Sequence, residues 1–524
     1  YDRLEYVDAA KAYTKLVEKN KADGYVYKQL ADSYYNVFNT QQAVVWYAKA
    51  VESTQDAETY FRYAQMLKAQ GDNKSAAQQM ATFAKMQPSD ARAKAFRNNP
   101  EYTNQLKSQA KQYDVLKSDV SSDKTDFGPV LSQNNEVFFT SARNTSRREN
   151  GMDDQPYLDL YKAIRNTDGT LSQATAVEEL NTKWHDGPAA ITSDGTTMYY
   201  GSESFNESAY QKNKEKHLKF SQIYLYKATK IEGDKWGNSK ALPINSKDYS
   251  VRNPSISKDG KTLYFSSDMP GGFGGEDIWK VSVDGDTYGT PENLGANINT
   301  EGNESFPSIQ DDGILFFSSN GHHGLGLLDI FATIKDQNDI ITGVLNLGVP
   351  VNSSKDDFSF FMSEDGTGGY FASNRDGGVG SDDIYAYNRI LPLKVEGTVT
   401  DIINNKPVEG AKITLFDANN NQIAYVETDE NGHYEINIDR DADYKIVSSQ
   451  TKYVDDSKTF TSKNIPKSTT SITTNLSLNP VQDIFVLAEL NTIYFDFEKY
   501  NIRKDASLEL DKIVDMMQKD YPNM

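Results

Sequence analysis

A chain of 524 residues carries 75 acidic against 55 basic side chains, a net charge of −20, with 37% hydrophobic residues and no cysteine. That balance argues against the basic footprint of a nucleic-acid binder and against a polybasic hold on anionic lipid, and the missing thiols exclude disulfides and zinc ribbons. No run of about 18 apolar residues offers a membrane-spanning helix, and the length argues for three or four domains. A start at Tyr1 fits either a removed signal peptide or an N-terminus that is not represented.

Residues 1–112 carry helical pairs with a period. YKQLADSYYNVFNTQQAVVWYAKAVESTQD and YFRYAQMLKAQGDNKSAAQQMATFAKMQPSD align with Tyr27 on Tyr60, Ala31 on Ala64, Ala43 on Ala76 and Tyr47 on Met80, always 33 apart. Small residues at Ala31 and Ala43 let two helices approach, and Tyr27, Tyr34 and Tyr47 fill the space between. Residues 4–19 read as the second helix of an earlier unit. The pattern resembles the tetratricopeptide repeat, with its period of about 34. The resemblance implies α-helical TPR-like repeats, either a peptide groove or a packing spacer against the next domain.

Five copies of another unit follow. NPSISKDGKTLYFSSDMPGGFGGEDIWKVSV, FPSIQDDGILFFSSNGHHGLGLLDIFATI and SFFMSEDGTGGYFASNRDGGVGSDDIYAYN are the clearest, and two weaker copies begin GPVLSQNNEVFFTSAR and GPAAITSDGTTMYYGSES. Each predicts a strand, an Asp-Gly turn of type I′, a second strand, a loop and a third strand. Fourth strands are expected at AVEELN, ALPINS, ENLGANIN and VLNLGVPV. The last copy has none of its own, while residues 113–126 stand unclaimed before the first. Pairing the two closes a ring and removes open sheet edges. The expectation is a five-bladed β-propeller over residues 113–391, closed by strand 113–120.

Three copies share an inner pattern: Gly272, Gly274 and Asp277, then Gly324, Gly326 and Asp329, then Gly378, Gly380 and Asp383. Metal binding at acidic turns is one reading. The other is structural, with Gly supplying unusual dihedrals and Asp tying the hairpin, and the repetition favours it. The loop before the third strand spans 19 and 21 positions in the first two copies but 11 in the third. The long loops carry Arg143, Arg147 and Arg148, and Lys212, Lys214, Lys216 and Lys219. Placed on one face of adjacent blades, these seven are candidate partner-binding residues for an acidic surface. A solvated loop is the alternative, since Glu149, Asp153, Asp154 and Glu215 offset part of the charge.

Residues 392–479 alternate with period two at Val395, Gly397 and Val399 and at Ile413 and Leu415, interrupted by turns, as in an antiparallel β-sandwich. The run GTVTD, PVEGAKITL and TDENGHYEI resembles the carboxypeptidase regulatory-like domain, which implies a non-catalytic module. Residues 480–524 read as a strand, a turn and a helix with Ala506, Leu510, Ile513 and Met517 on one face. IYFDFEKYNIR with that helix resembles the start of an α+β OmpA-like domain. The resemblance implies peptidoglycan binding, with the completing strand and the peptidoglycan-contacting residues expected beyond Met524. Asp496 and Arg503 read as structural.

No G-x-S-x-G, H-E-x-x-H or EF-hand loop occurs, and Asp259-Gly260-Lys261-Thr262 is a hairpin turn without the preceding glycine of a phosphate loop. The expectation is no catalytic residue, no cofactor and no metal. The domain order resembles periplasmic OmpA-family proteins associated with type IX secretion and gliding. It implies a non-enzymatic scaffold at the outer membrane and cell wall, partnered with an outer-membrane protein of PorP/SprF type or another secretion component. A second expectation is a periplasmic receptor that takes a peptide or glycan in the propeller or the repeat groove.

Overall fold

The computed structural model describes residues 4–109, 111–167, 169–213, 218–467, 469–481 and 490–519. It divides into two compact units, one up to Arg389 and one from Ile390 onward.

The first unit opens with seven helices: α1 (Tyr6–Glu18), α2 (Gly24–Asn36), α3 (Thr40–Ala50), α4 (Ala57–Ala69), α5 (Asn73–Met86), α6 (Ala91–Asn98) and α7 (Tyr102–Ser108). Asp23, Asn39, Asp56, Asp72 and Asp90 each accept a first-turn backbone N–H, so five helix starts are set by side-chain caps. Ala31 and Ala43 are fully buried with Tyr47 against Tyr63 and Met66. The Tyr47 hydroxyl donates to the buried Asp32 at 2.6 Å, and Arg62 pairs with the same carboxylate at 3.2 Å.

After β1 (Tyr113–Lys117) come five antiparallel sheets. The first holds β2 (Asp126–Leu131), β3 (Glu136–Ser141), β4 (Asp159–Ile164) and β5 (Thr175–Ala176). The second holds β6 (Asp186–Ile191), β7 (Thr197–Glu203), β10 (Ile223–Ile231) and β11 (Lys235–Ala241), with a hairpin of β8 (Gln211–Asn213) and β9 (Leu218–Phe220) set before β10. The third holds β12 (Val251–Ile256), β13 (Thr262–Ser267), β14 (Asp277–Asp284), β15 (Thr287–Tyr288) and β16 (Glu292–Asn293). The fourth holds β17 (Glu304–Ile309), β18 (Leu315–Ser319), β19 (Asp329–Lys335) and β20 (Ile341–Asn346). The fifth holds β21 (Asp357–Met362), β22 (Gly368–Ser373) and β23 (Asp383–Arg389), and β1 completes it with Tyr113 opposite Arg389. The inner strands β2, β6, β12, β17 and β21 neighbour one another in cyclic order, so the arrangement is propeller-like. The hydrophobic side chains of neighbouring sheets interlock; Phe316 and Ile330 of the fourth, for example, pack with Phe360, Phe371 and Tyr387 of the fifth.

Two details differ from the expectation. At the Asp-Gly turns only Gly has positive φ: Gly260 sits at +69° while Asp259 does not. The Gly260 N–H donates to Ser257 O and the Asp259 carboxylate accepts from Lys261 N–H, which makes a four-residue hairpin loop rather than type I′. The outer strands also end early in AVEELN, ALPINS, ENLGANIN and VLNLGVPV, each covering only the start of its segment. The rest of each segment turns back to the ring. An asparagine near its end or just past it, Asn181, Asn245, Asn299 or Asn352, bonds both backbone groups of Leu160, Leu225, Ile278 or Ile330 on the third strand.

The second unit contains two packed sheets. β24 (Leu393–Asp401), β27 (His433–Ile438), β29 (Tyr453–Val454), β31 (Ser471–Thr473) and β32 (Leu476–Pro480) form one. β25 (Lys412–Asp417), β26 (Gln422–Glu427), β28 (Asp443–Ser449) and β30 (Asp456–Thr461) form the other. Their inner faces bury Val395, Val399, Ile413, Leu415, Ile446 and Leu476. The helix expected near the C-terminus is α8 (Lys504–Lys519). Its contact face is Ala506, Ile513 and Met516, with Met516 in the place expected for Met517. Residues 490–497 form no strand, and Phe497 is 90% exposed. A strand needs a neighbour for its backbone groups, and none pairs here among the described residues.

Candidate functional site

The inner strands enclose a funnel of about 940 Å³ that opens on the face of the Asp-Gly hairpins. Every inner strand is bulged near its third residue, where Gly128, Gly187, Asn253, Phe306 and Ser359 all take positive φ. Such bulges bend a strand and re-aim its side chains. Phe127, Phe306 and Phe358, from three different sheets, meet with ring centres 5.1–6.0 Å apart. At the rim Lys258 bridges Asp311 and Glu364, both at 2.5 Å, so three consecutive hairpins are joined across the mouth. Those two carboxylates raise the pKa of the Lys258 ammonium. Arg165 and Arg389 also line the funnel.

On the other ends of the strands lie the repeated Gly and Asp residues. Asp277 accepts from the Phe273 and Gly274 N–H groups, Asp329 from Leu325 and Gly326, and Asp383 from Val379 and Gly380. The carboxylate thus ties the loop. The glycines are there for a different reason than dihedral freedom, for none of the six has positive φ. A Cβ on Gly272, Gly324 or Gly378 would collide with the tying carboxylate. One on Gly274, Gly326 or Gly380 would collide with a carbonyl leading into the next sheet: Thr300, Lys355 or Lys124. Among the described residues no group of three His, Asp or Glu side chains is placed to hold a metal ion.

The candidate basic residues separate. Arg143 turns inward to the buried Asp126 at 2.5 Å and the Val120 carbonyl. Arg147 pairs with the buried Asp159 at 2.8 Å; together with Asn144 it replaces the two loop amides that serve Asp277, Asp329 and Asp383. Both are therefore engaged inside the first sheet. Arg148 is exposed. Lys212 and Lys219 are exposed cross-strand neighbours on β8 and β9, with ammonium groups 5.3 and 4.4 Å from the Tyr210 ring centre. The Tyr210 hydroxyl is pushed below its ordinary pKa by the Lys219 hydrogen bond and the two positive charges. Lys214 and Lys216 lie outside the described residues. An aromatic row that no basic cluster signals runs between the two long loops: Tyr157, Trp184, Phe205 and Tyr210. His185 packs against Tyr157 at its start, the rings inclined by 47°; burial lowers its pKa to about 4, and its Nδ1 accepts from Leu158 N–H.

The helices meet this same loop face. Lys68 of α4 donates to Gly324 O at 2.9 Å, Tyr102 stacks on His323 at 4.1 Å, and Leu327 enters the cluster of Tyr47, Tyr63 and Met66. The Ala91 N–H donates to the Glu301 carboxylate at 3.1 Å, and Lys11 pairs with Asp154 at 3.2 Å.

Residues 394–477 match the carboxypeptidase regulatory-like domain. None of the curated proteins compared matches the chain. Among solved structures, TolB from Acinetobacter baumannii is 14% identical, covers 61% of this chain and 65% of its own, and has a TM-score of 0.30. The chain thus spans about two thirds of TolB. The α-L-arabinofuranosidase from Lactobacillus brevis is 11% identical over 52% of this chain and 90% of its own, with a TM-score of 0.34. A gluconolactonase from Xanthomonas campestris is 11% identical over 53% and 99%, with a TM-score of 0.29.

Proposed function

We propose that the chain is a non-enzymatic periplasmic adaptor. In this reading TPR-like repeats and a five-bladed propeller hold an outer-membrane protein of PorP/SprF type, or another type IX secretion or gliding component. The OmpA-like C-terminal region brings the assembly to peptidoglycan, as in PorE-like proteins. The observation that carries the reading is the join between helices and ring. Residues 320–327 of the fourth sheet are held by α4 and α7 through Lys68, Tyr102 and Leu327. Helices and ring then present one rigid surface to a partner, as a bridging element requires, and a chain that engages two fixed partners gains effective concentration at each. Sedimentation with purified cell-wall sacculi tests it. The natural full-length protein is expected in the pellet and a version ending near residue 480 in the supernatant; equal sedimentation of both overturns the anchor.

The funnel favours a second reading, a receptor for a peptide or glycan. Its volume of about 940 Å³ lies in the range of small-molecule sites. A ligand taken there would raise the melting temperature, and its binding would survive removal of the chain from residue 390 onward.

A further inference from the structure

The row of Tyr157, Trp184, Phe205 and Tyr210 has ring centres 5.8, 4.8 and 5.9 Å apart, and all four rings are half-buried. Lys183 lies 5.2 Å from the Trp184 ring centre, and Lys212 and Lys219 flank Tyr210. Lys183, Lys212, Lys219 and Arg148 are exposed, and among the described residues none has a carboxylate within ion-pair distance. Facing Lys212 directly across to Lys219 is unfavourable, since like charges opposite each other on a hairpin repel. Of the nearby acids Glu149 is exposed beside Arg148, and the others are engaged: Glu207 accepts from Tyr226. Asp153 accepts from Asn150 and Gln155, Asp154 pairs with Lys11, and Glu203 accepts from Ser221.

We propose that this row is the docking site for an acidic segment of a partner protein that also carries aromatic or apolar side chains. Charge complementarity commits the site to that occupant. A chain of net charge −20 repels an acidic segment over most of its surface and attracts it here, which steers the encounter. The rings supply the anchor: desolvated aromatic side chains carry most of the binding energy at protein interfaces. A sugar would need open, parallel ring faces. Here Lys183 and Lys219 lie over the faces of Trp184 and Tyr210, and successive rings are inclined by 76°, 37° and 49°. The proposal rests on the adaptor reading and assigns the surface that reading leaves open.

Binding of a labelled random copolymer of glutamate and tyrosine to the full chain tests it, with polyglutamate and alginate as comparison polymers. The copolymer is expected to bind at low salt more tightly than either. The triple variant Lys183→Glu, Lys212→Glu, Lys219→Glu is expected to weaken it at least about tenfold. An equal charge change on the helices, Lys74→Glu, Lys85→Glu, Lys107→Glu, is expected to weaken it far less. Trp184→Ala with Tyr210→Ala is expected to bring the copolymer down to the level of polyglutamate; unchanged melting temperatures establish that the variants fold. Equal loss from both charge triples, an aromatic pair without effect, or alginate binding as tightly as the copolymer each overturns the proposal. None of these outcomes bears on sedimentation with sacculi, so the docking site and the wall anchor fail separately.

Discussion

Asn352 bonds both backbone groups of Ile330: its Nδ2 donates to the carbonyl and its Oδ1 accepts the N–H, each at 2.8 Å. Both residues are buried. The side-chain amide stands in for one rung of a neighbouring strand, and Asn181, Asn245 and Asn299 do the same in three other sheets. The fifth sheet uses the Ser121 hydroxyl, which accepts from Ile384 N–H at 2.9 Å. Asn352→Ala leaves a buried donor and a buried acceptor unpaired, so a loss of about 2–4 kcal/mol is expected. Urea unfolding measures it; a loss below about 0.5 kcal/mol would show that the rung is dispensable.

Gly326 and Gly343 form a matched pair. Gly326→Ala drives a Cβ into the Lys355 carbonyl between two sheets, and overpacking against backbone is expected to cost about 1–3 kcal/mol or more. Gly343 lies on β20 with open space where its Cβ would stand and without positive φ, so Gly343→Ala is expected to stay within about 0.5 kcal/mol. Thermal unfolding of the two variants tests whether close approach selects glycine at 326, and equal melting temperatures would contradict it.

Glu304 is fully buried at the start of β17, where it accepts the Thr300 N–H and the Thr300 and Ser319 hydroxyls. Burial raises its pKa to about 7, against those hydrogen bonds. A carboxyl with a raised native pKa stabilises the fold most below its ordinary value, and that contribution is lost as pH climbs to about 7. The stability of the wild type is therefore expected to fall between pH 4.5 and 7. Glu304→Gln should reduce that fall by on the order of 1–3 kcal/mol. Denaturation midpoints across the window measure it, and identical slopes for the two proteins would contradict it.

Lys68 shows the opposite sign. It is buried between α4 and the ring, and burial lowers its pKa to about 8 against the pull of Asp329. The docked helices hold a neutral amine more readily than an ammonium. Docking is expected to strengthen as pH rises from about 8 toward the ordinary lysine value, with little change below. Lys68→Met removes the dependence. The helical circular dichroism signal under denaturant, followed at pH 8 and pH 10, checks it.

The hairpin and third strand of each sheet are legible in sequence because the strand–turn–strand unit repeats five times, with Asp-Gly at four of the turns and Asn134-Asn135 at the first. The outer strands are less so. They carry few buried side chains, and an asparagine that replaces a backbone rung reads in sequence as an ordinary turn residue. Gly326 and Gly380 are visible in the pattern that three copies share, but the carbonyls they make room for belong to the next sheet, about 30 residues onward or, through ring closure, near the start of the ring. The basic cluster is legible by composition alone. Which of its members turn inward depends on Asp126 and Asp159, whose burial follows only from the folded ring. The aromatic row escapes detection because Tyr157, Trp184 and Phe205 are scattered over three loops. The segment at residues 493–497 alternates like a strand, yet strand geometry needs a partner that no local pattern supplies.

A bridging assay tests most directly the proposal that one chain joins two surfaces. Outer-membrane vesicles, which on the proposed reading carry the partner, are mixed with purified sacculi and spun at a speed that pellets sacculi alone. The natural full-length protein is expected to bring vesicles into the pellet, and an equimolar mixture of its two parts, divided at Ile390, is expected to leave them in solution. Vesicles pelleted equally by the divided mixture, or left in solution with the intact chain, would contradict the account.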